Sequence, residues 1–171
     1  MTTWTNSDGL LVRFGTDKAA AVKGGVLKTE GDLVEVRARI TGTDVPSTDA
    51  PVSTSKLILP QGAYIEESIL YVITAFETGT GGNTGSLDIG VMNDDGDGTF
   101  STKDDNGLHS LHLTAALAGD ARLVGTGALI NTTLQNTAAG LSYGCAISYG
   151  YNAKAFTAGV AELVVRYRVV S

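Results

Sequence analysis

The stretch Tyr64 to Phe76 is rich in β-branched and aromatic residues, contains no Pro or Gly, and lies between Pro60-Gln61-Gly62 and the turn formers Thr78 to Asn83. That pattern predicts one long strand, the spine of a sheet. Leu87, Ile89 and Val91 then alternate with Asp88 and Gly90, the period of a strand with one buried face, so the two runs and the Gly-rich turn between them predict a hairpin. Past Ser68 the first run is apolar on both faces, with Ile69, Tyr71 and Ile73 against Leu70, Val72 and Phe76. Both sides must then be covered, by a second sheet and a loop or by another subunit.

The same period recurs along the chain. Val34, Val36, Ala38 and Ile40 alternate with Glu35, Arg37 and Arg39 over Asp32 to Thr41, and Ala161, Leu163, Val165, Tyr167 and Val169 alternate with Glu162, Arg166 and Arg168 over Val160 to Val170. Tyr143, Cys145, Ile147 and Tyr149 mark another strand over Ser142 to Tyr149, and Ala128-Leu129-Ile130 a strand within Leu123 to Thr133. Leu108 to Gly119 fits a short strand running into a helical turn at Thr114 to Ala118. Thr41 to Thr54, with Pro46 and Pro51, and the acidic, Gly-rich Asn93 to Gly107 read as loops. About eight to ten strands with almost no helix predict an all-β antiparallel sandwich, a jelly roll in preference to an immunoglobulin-like arrangement. Residues 1 to 30 read as an N-terminal arm with short strands, and 31 to 171 as the sandwich.

Composition narrows the function. A chain of 171 residues has room for one domain with a real core. The net charge is -6 and the 12 Lys and Arg residues are scattered, which argues against nucleic acid as a partner. Cys145 is the only cysteine, so an internal disulfide and a Cys-based zinc cage are both excluded. The opening Met1 to Asn6 has neither a positive start nor an apolar core, and no apolar run approaches the ~20 residues of a membrane helix. The expectation is a protein made in the cytoplasm, with no membrane partner.

Asn93, Asp95 and Asp97, with Gly98 and then Asp104 at the twelfth position, have the spacing of a calcium loop. Asp104 is shorter than the usual Glu and no helices flank the loop, so a solvated turn is the preferred reading and no cofactor is expected. His109 and His112 stand three apart and read as ordinary surface or interface histidines rather than metal ligands. Gly79 to Gly85 misses the dinucleotide fingerprint, because Thr84 stands in place of the third Gly. The Asn131-Thr132-Thr133 sequon carries no weight without a secretion signal. Neither a nucleophile elbow nor a local Ser, His and Asp set is present, and no enzyme activity is expected.

Thr3 to Leu10, Val12 to Thr16, Leu59-Pro60-Gln61-Gly62-Ala63-Tyr64-Ile65-Glu66 and Leu87-Asp88-Ile89-Gly90 resemble small virion proteins of tailed phages, especially those infecting marine bacteria. The resemblance implies a non-enzymatic β-sandwich on the capsid surface that decorates or cements the shell in several copies. The partners it implies are further copies of the chain, a trimer being one such assembly, and the major capsid protein. Trp4, Phe14, Tyr71, Ile73 and Phe76 are the expected interface residues. The rival reading is a carbohydrate-binding module or phage adhesin domain, with Trp4, Tyr64, Tyr143, Tyr149 and Tyr151 as its sugar platforms.

Overall fold

Alternation is translated directly into buried and wet faces in β4 (Leu33–Thr41) and β13 (Phe156–Val169). Val36, Ala38 and Ile40 lie opposite Val165, Leu163 and Ala161, and all six side chains are buried. The computed structural model describes residues 2–5, 11–14, 25–28, 33–52, 57–79, 85–112, 119–136 and 144–169, and for 2–28 the backbone alone. The Thr114 to Ala118 turn lies outside the described residues.

The spine is β7 (Ala63–Thr78), which pairs along nearly its whole length with β13. The other strands are β1 (Thr2–Thr5), β2 (Leu11–Phe14), β3 (Gly25–Lys28), β5 (Ala50–Pro51), β6 (Ile58–Leu59), β8 (Ser86–Asp94), β9 (Phe100–His112), β10 (Arg122–Val124), β11 (Thr132–Thr133) and β12 (Cys145–Asn152). One sheet has the order β10-β7-β13-β4-β3, with β11 also on β7. The second has the order β5-β12-β8-β9, with β6 also on β12. The two antiparallel sheets pack face to face as an all-β sandwich. Leu87, Ile89, Val91 and Ile147 of the second sheet and Ile65, Leu70, Val72 and Leu163 of the first belong to one core. Each such side chain contributes roughly 1.5–3 kcal/mol by leaving water.

The expected hairpin between the spine and Leu87 to Val91 does not form. β7 and β8 lie in different sheets, so the Gly-rich connection crosses from one to the other. Each strand finds its partners elsewhere: β13 for β7, β12 and β9 for β8. The spine also carries a bulge, upstream of its two-faced apolar run. Register slips at Glu66, where Glu67 faces Arg166 and Ile65 faces Tyr167, so a bulge brings both Ile65 and the later Ser68, Leu70 and Val72 to the core face.

Three further expectations are corrected. Asn93 to Gly107 is a loop only around its Gly-rich tip, because β8 runs to Asp94 and β9 starts at Phe100. Polar residues suit this strand because it forms the sheet's edge. Ala128-Leu129-Ile130 is a turn, closed by Ile130 N–H to Gly127 O at 3.1 Å and followed by Asn131 at φ 61°. Val169, expected inward, is 49% exposed, since it stands at the end of the last strand.

That turn belongs to a segment that closes one side of the sandwich. Gly125 N–H donates to Ser68 O, Asn131 N–H to Ile65 O and Leu134 N–H to Ala63 O, while Leu129 N–H donates to Gly107 O on β9. The segment therefore stitches the β7 margin of one sheet to the β9 margin of the other. Gly127 lets it do so, since a Cβ there would meet the Gly107 and Leu108 backbone.

Between β12 and β13 the chain reverses through a γ-turn, Lys154 N–H to Asn152 O at 3.0 Å, with Ala153 at φ 74°. This conformation is strained for any residue with a Cβ. Gly159, at φ 128°, sits against Phe76, and a Cβ there would lie 2.5 Å from the ring carbon Cγ. Ala153→Gly is therefore expected to stabilise the fold by about 0.5–1 kcal/mol, and Gly159→Ala to destabilise it by about 1–3 kcal/mol. Urea denaturation of the two variants, read beside the parent, checks the opposite signs.

Candidate functional site

The outward face of the first sheet carries an apolar centre inside a ring of charge. Register aligns Arg37, Val164, Ile69 and Val124 in one row across β4, β13, β7 and β10, and Arg39, Glu162, Tyr71 and Arg122 in the next. Ile69 and Val164 are each 1% exposed, but Tyr71 is 37%, Val124 47% and Ile73 52% exposed. These last three form an uncovered apolar stripe at the β7–β10 margin.

The charges around it are paired. Glu35 takes Arg37 Nε at 2.6 Å and Arg166 Nε at 2.9 Å, and Arg166 Nη1 also reaches Glu67 at 2.8 Å. Arg37 continues to Glu162 at 3.0 Å and Arg122 to Glu67 at 3.4 Å. Burial pushes the Glu35 carboxyl up, but hydrogen bonds from Arg166 and Arg37 outweigh it and hold the group below its ordinary value. This face therefore sets a network of paired charges beside an apolar stripe.

Of the expected interface residues, Tyr71 and Ile73 lie on this stripe. Phe76 does not: it is 2% exposed and packs edge-on against Phe156 with ring centroids 5.2 Å apart, so it is a core residue. Trp4 and Phe14 belong to β1 and β2, which among the described residues pair with each other, Thr2 opposite Phe14 and Trp4 opposite Val12. Their side chains lie outside the described residues. Among the sugar platforms, Tyr149 donates its hydroxyl to Asp44 O and Tyr151 packs on Phe156 at 6.3 Å, so both serve the fold. Tyr64 is half-buried and Tyr143 lies outside the described residues.

Two of the calcium-loop residues, Asn93 and Asp95, meet at the Ser101 hydroxyl. Asn93 is 5% exposed in β8, 3.9 Å from the Cys145 thiol, which burial pushes up to about 11. Asp95 accepts from Ser101 Oγ at 3.1 Å, and Asp97 from Thr99 N–H at 2.8 Å, while Asp104 stands within β9 opposite Val91. Among the described residues no three His, Cys, Asp or Glu side chains converge as a metal group.

His109 departs from the surface reading. It is 2% exposed, because β9 turns it into the sandwich beside the fully buried Leu108. There its Nε2 lies 2.8 Å from Ser68 Oγ, a hydrogen bond joining the two sheets. Nδ1 has no partner among the described residues, and burial pushes the imidazole down to about 4. The sequence signal was a polar Ser68 inside the apolar spine and a His flanked by Leu108 and Leu111, but neither residue alone points to the other.

The class this geometry defines is a two-sheet antiparallel β-sandwich with an apolar stripe and paired charges on one outward face. No family model and no curated protein matches the sequence. Solved structures do share its fold. A chain of the capsid of Ralstonia phage GP4 is 18% identical over 86% of this chain and 90% of its own, with a TM-score of 0.53. A chain of the acid-stable capsid of Helicobacter pylori bacteriophage KHP30 is 14% identical over 86% and 95%, with a TM-score of 0.53. A chain of the cyanophage Pam1 capsid asymmetric unit is 18% identical over 97% and 98%, with a TM-score of 0.51.

The buried imidazole sets a pH dependence. With an unfolded value near 6.5 and a folded value of about 4, the unfolded chain binds the extra proton between those limits. Stability is therefore expected to be full above pH 6.5 and to fall by about 3 kcal/mol as pH drops to 4, with no further loss from this group below. Urea titrations at pH 7, 5.5 and 4 measure this, and His109→Gln should remove the His-dependent part of the slope.

Proposed function

We propose that this chain is a virion structural protein that decorates or cements the capsid of a tailed phage, acting by contact with copies of itself and with the shell. The observation that carries the reading is a shared fold, over 86% to 97% of this chain, with chains of three phage capsid structures. The resemblance of the sequence to small phage virion proteins supports it from a separate direction. The location that follows is the capsid surface, and the partners are the major capsid protein and further copies of the chain.

The physical logic is mass action. A protein that binds the assembled shell and not its separated parts stabilises the shell by the free energy of those contacts. The Tyr71–Ile73–Val124 stripe offers an apolar centre, and the paired charges around it offer a polar rim, the layout of a protein interface. The β1–β2 hairpin offers a second contact. A two-stranded hairpin is marginal in water by itself, so the β1–β2 pair gains most by docking on a neighbour.

Two measurements test the proposal. Ile73→Glu combined with Val124→Glu changes exposed side chains, so unfolding free energy should move by no more than about 0.5 kcal/mol, while sedimentation at micromolar concentration shifts from oligomer to monomer. A parent protein that sediments only as a monomer, and fails to co-sediment with empty capsids, contradicts the reading. Deleting residues 1 to 14 should leave the melting temperature of the sandwich nearly unchanged but weaken capsid binding; equal loss of both would place the hairpin in the fold instead.

A further inference from the structure

The outward face of the second sheet has a floor without side chains, roofed by acids. Because Leu87, Ile89, Val91 and Ile147 point into the core, the alternate residues Asp88, Gly90, Ser148 and Gly150 share the outer face. Register makes them a quadrilateral, Ser148 opposite Gly90 and Gly150 opposite Asp88.

Two segments close over it from opposite sides. From the β5 side, Asp49 lays its carboxylate against Gly150, where a Cβ would collide with Oδ1. From the β9 side, the backbone at Asp104 and Asp105 lies against Gly90, where a Cβ would collide with the Asp104 carbonyl oxygen and stand 2.7 Å from the Asp105 carbonyl oxygen. Asp88 is held in place by Ser110 Oγ at 3.0 Å and Ser86 Oγ at 3.4 Å. Beneath this roof Ser148 is 0% exposed, and its hydroxyl has no hydrogen-bond partner among the described residues. A buried hydroxyl without a partner costs about 1–3 kcal/mol and calls for a missing one.

We propose that this cluster of oxygen donors binds a hard divalent cation of the calcium type, held by the Asp49 and Asp88 carboxylates, the Ser148 hydroxyl and the Asp105 carbonyl, with water completing the shell. All four are oxygen donors, and calcium takes six to eight of them, main-chain carbonyls included. Soft or nitrogen-preferring metals find no thiolate or imidazole here. Only two carboxylate side chains need to converge, which distinguishes this arrangement from a group of three or more acids. The charge is unmatched as it stands: among the described residues none of Asp49, Asp88 and Asp105 pairs with a Lys or Arg. Burial first, then the charges of Asp105 and Asp88, hold the Asp49 carboxyl above its ordinary value, and a bound cation would reverse that.

The site is separate from the Asn93–Asp104 motif, and the test separates them. Chelator-treated protein is titrated with calcium chloride, and in parallel with magnesium chloride, by calorimetry and by thermal melting. Millimolar calcium should bind and raise the melting temperature by several degrees, more than magnesium does. Asp49→Asn or Asp88→Asn should abolish both effects, whereas Asp95→Asn with Asp97→Asn should leave them intact. Ser148→Ala, which removes only one buried oxygen, should keep the fold and weaken calcium several-fold, so the test survives if an Asp variant fails to fold. Absence of calcium binding, binding that all three site variants retain, or binding lost only in the Asp95 and Asp97 variant would each overturn the proposal.

Discussion

The pairing of β7 with β13 is the constraint on which the remainder of the molecule depends. β13 is bonded on its other side to β4, so three long strands form the stiff middle of one sheet. Their inner faces supply Ile65, Leu70, Val72, Ala161, Leu163, Val165 and the β4 valines, against which the second sheet must pack. The bulge at Glu66 is what makes this possible. Without it, Ile65 and Leu70 would lie on opposite faces, and Ile65 would be turned out of the core.

The same bulge accounts for the outer face. It presents Glu67 beside Arg166 and Glu35, which seeds the ion-pair lattice, and leaves Ile69, Tyr71 and Ile73 as an apolar line beside it. Exposed ion pairs individually contribute little. Here Glu35 is shared by two arginines and Arg166 by two glutamates, so the lattice fixes side-chain positions rather than adding much stability. A face already rigid before it meets a partner loses less conformational entropy on docking.

Strands were legible wherever one face is wet. β4 and most of β13 follow from alternation, because each period-2 residue faces either core or water, and β8 follows from the alternation of Leu87, Ile89 and Val91 although its outer face is covered as well. The sandwich class followed from their number and spacing. What alternation cannot carry is partnership. The pattern of Leu87 to Val91 says that one face is buried, not that β12 rather than β7 lies alongside. Nor could it recognise β9, whose first half is Ser101 to Asn106, since an edge strand tolerates polar residues on either face. Site residues were hidden for a related reason. Ser68 and His109, or Asp49 and Gly150, meet only because two sheets and a crossing loop bring them together. The motif that sequence spacing did display, at Asn93 to Asp104, is divided between the end of β8, a turn and the start of β9.

The position of β13 has a mechanical consequence. It is an interior strand, antiparallel to a neighbour on each side, and it lies near the chain's end. A pull along its axis loads the hydrogen bonds to β4 and β7 in shear, all sharing the force at once. A pull across the sheet at the β3 edge would open bonds one after another. The sandwich is therefore anisotropic, resistant to tension along β13 and weaker to peeling at its margin. A shell under outward pressure would gain most from such a domain if the stretching direction of its surface ran along that strand.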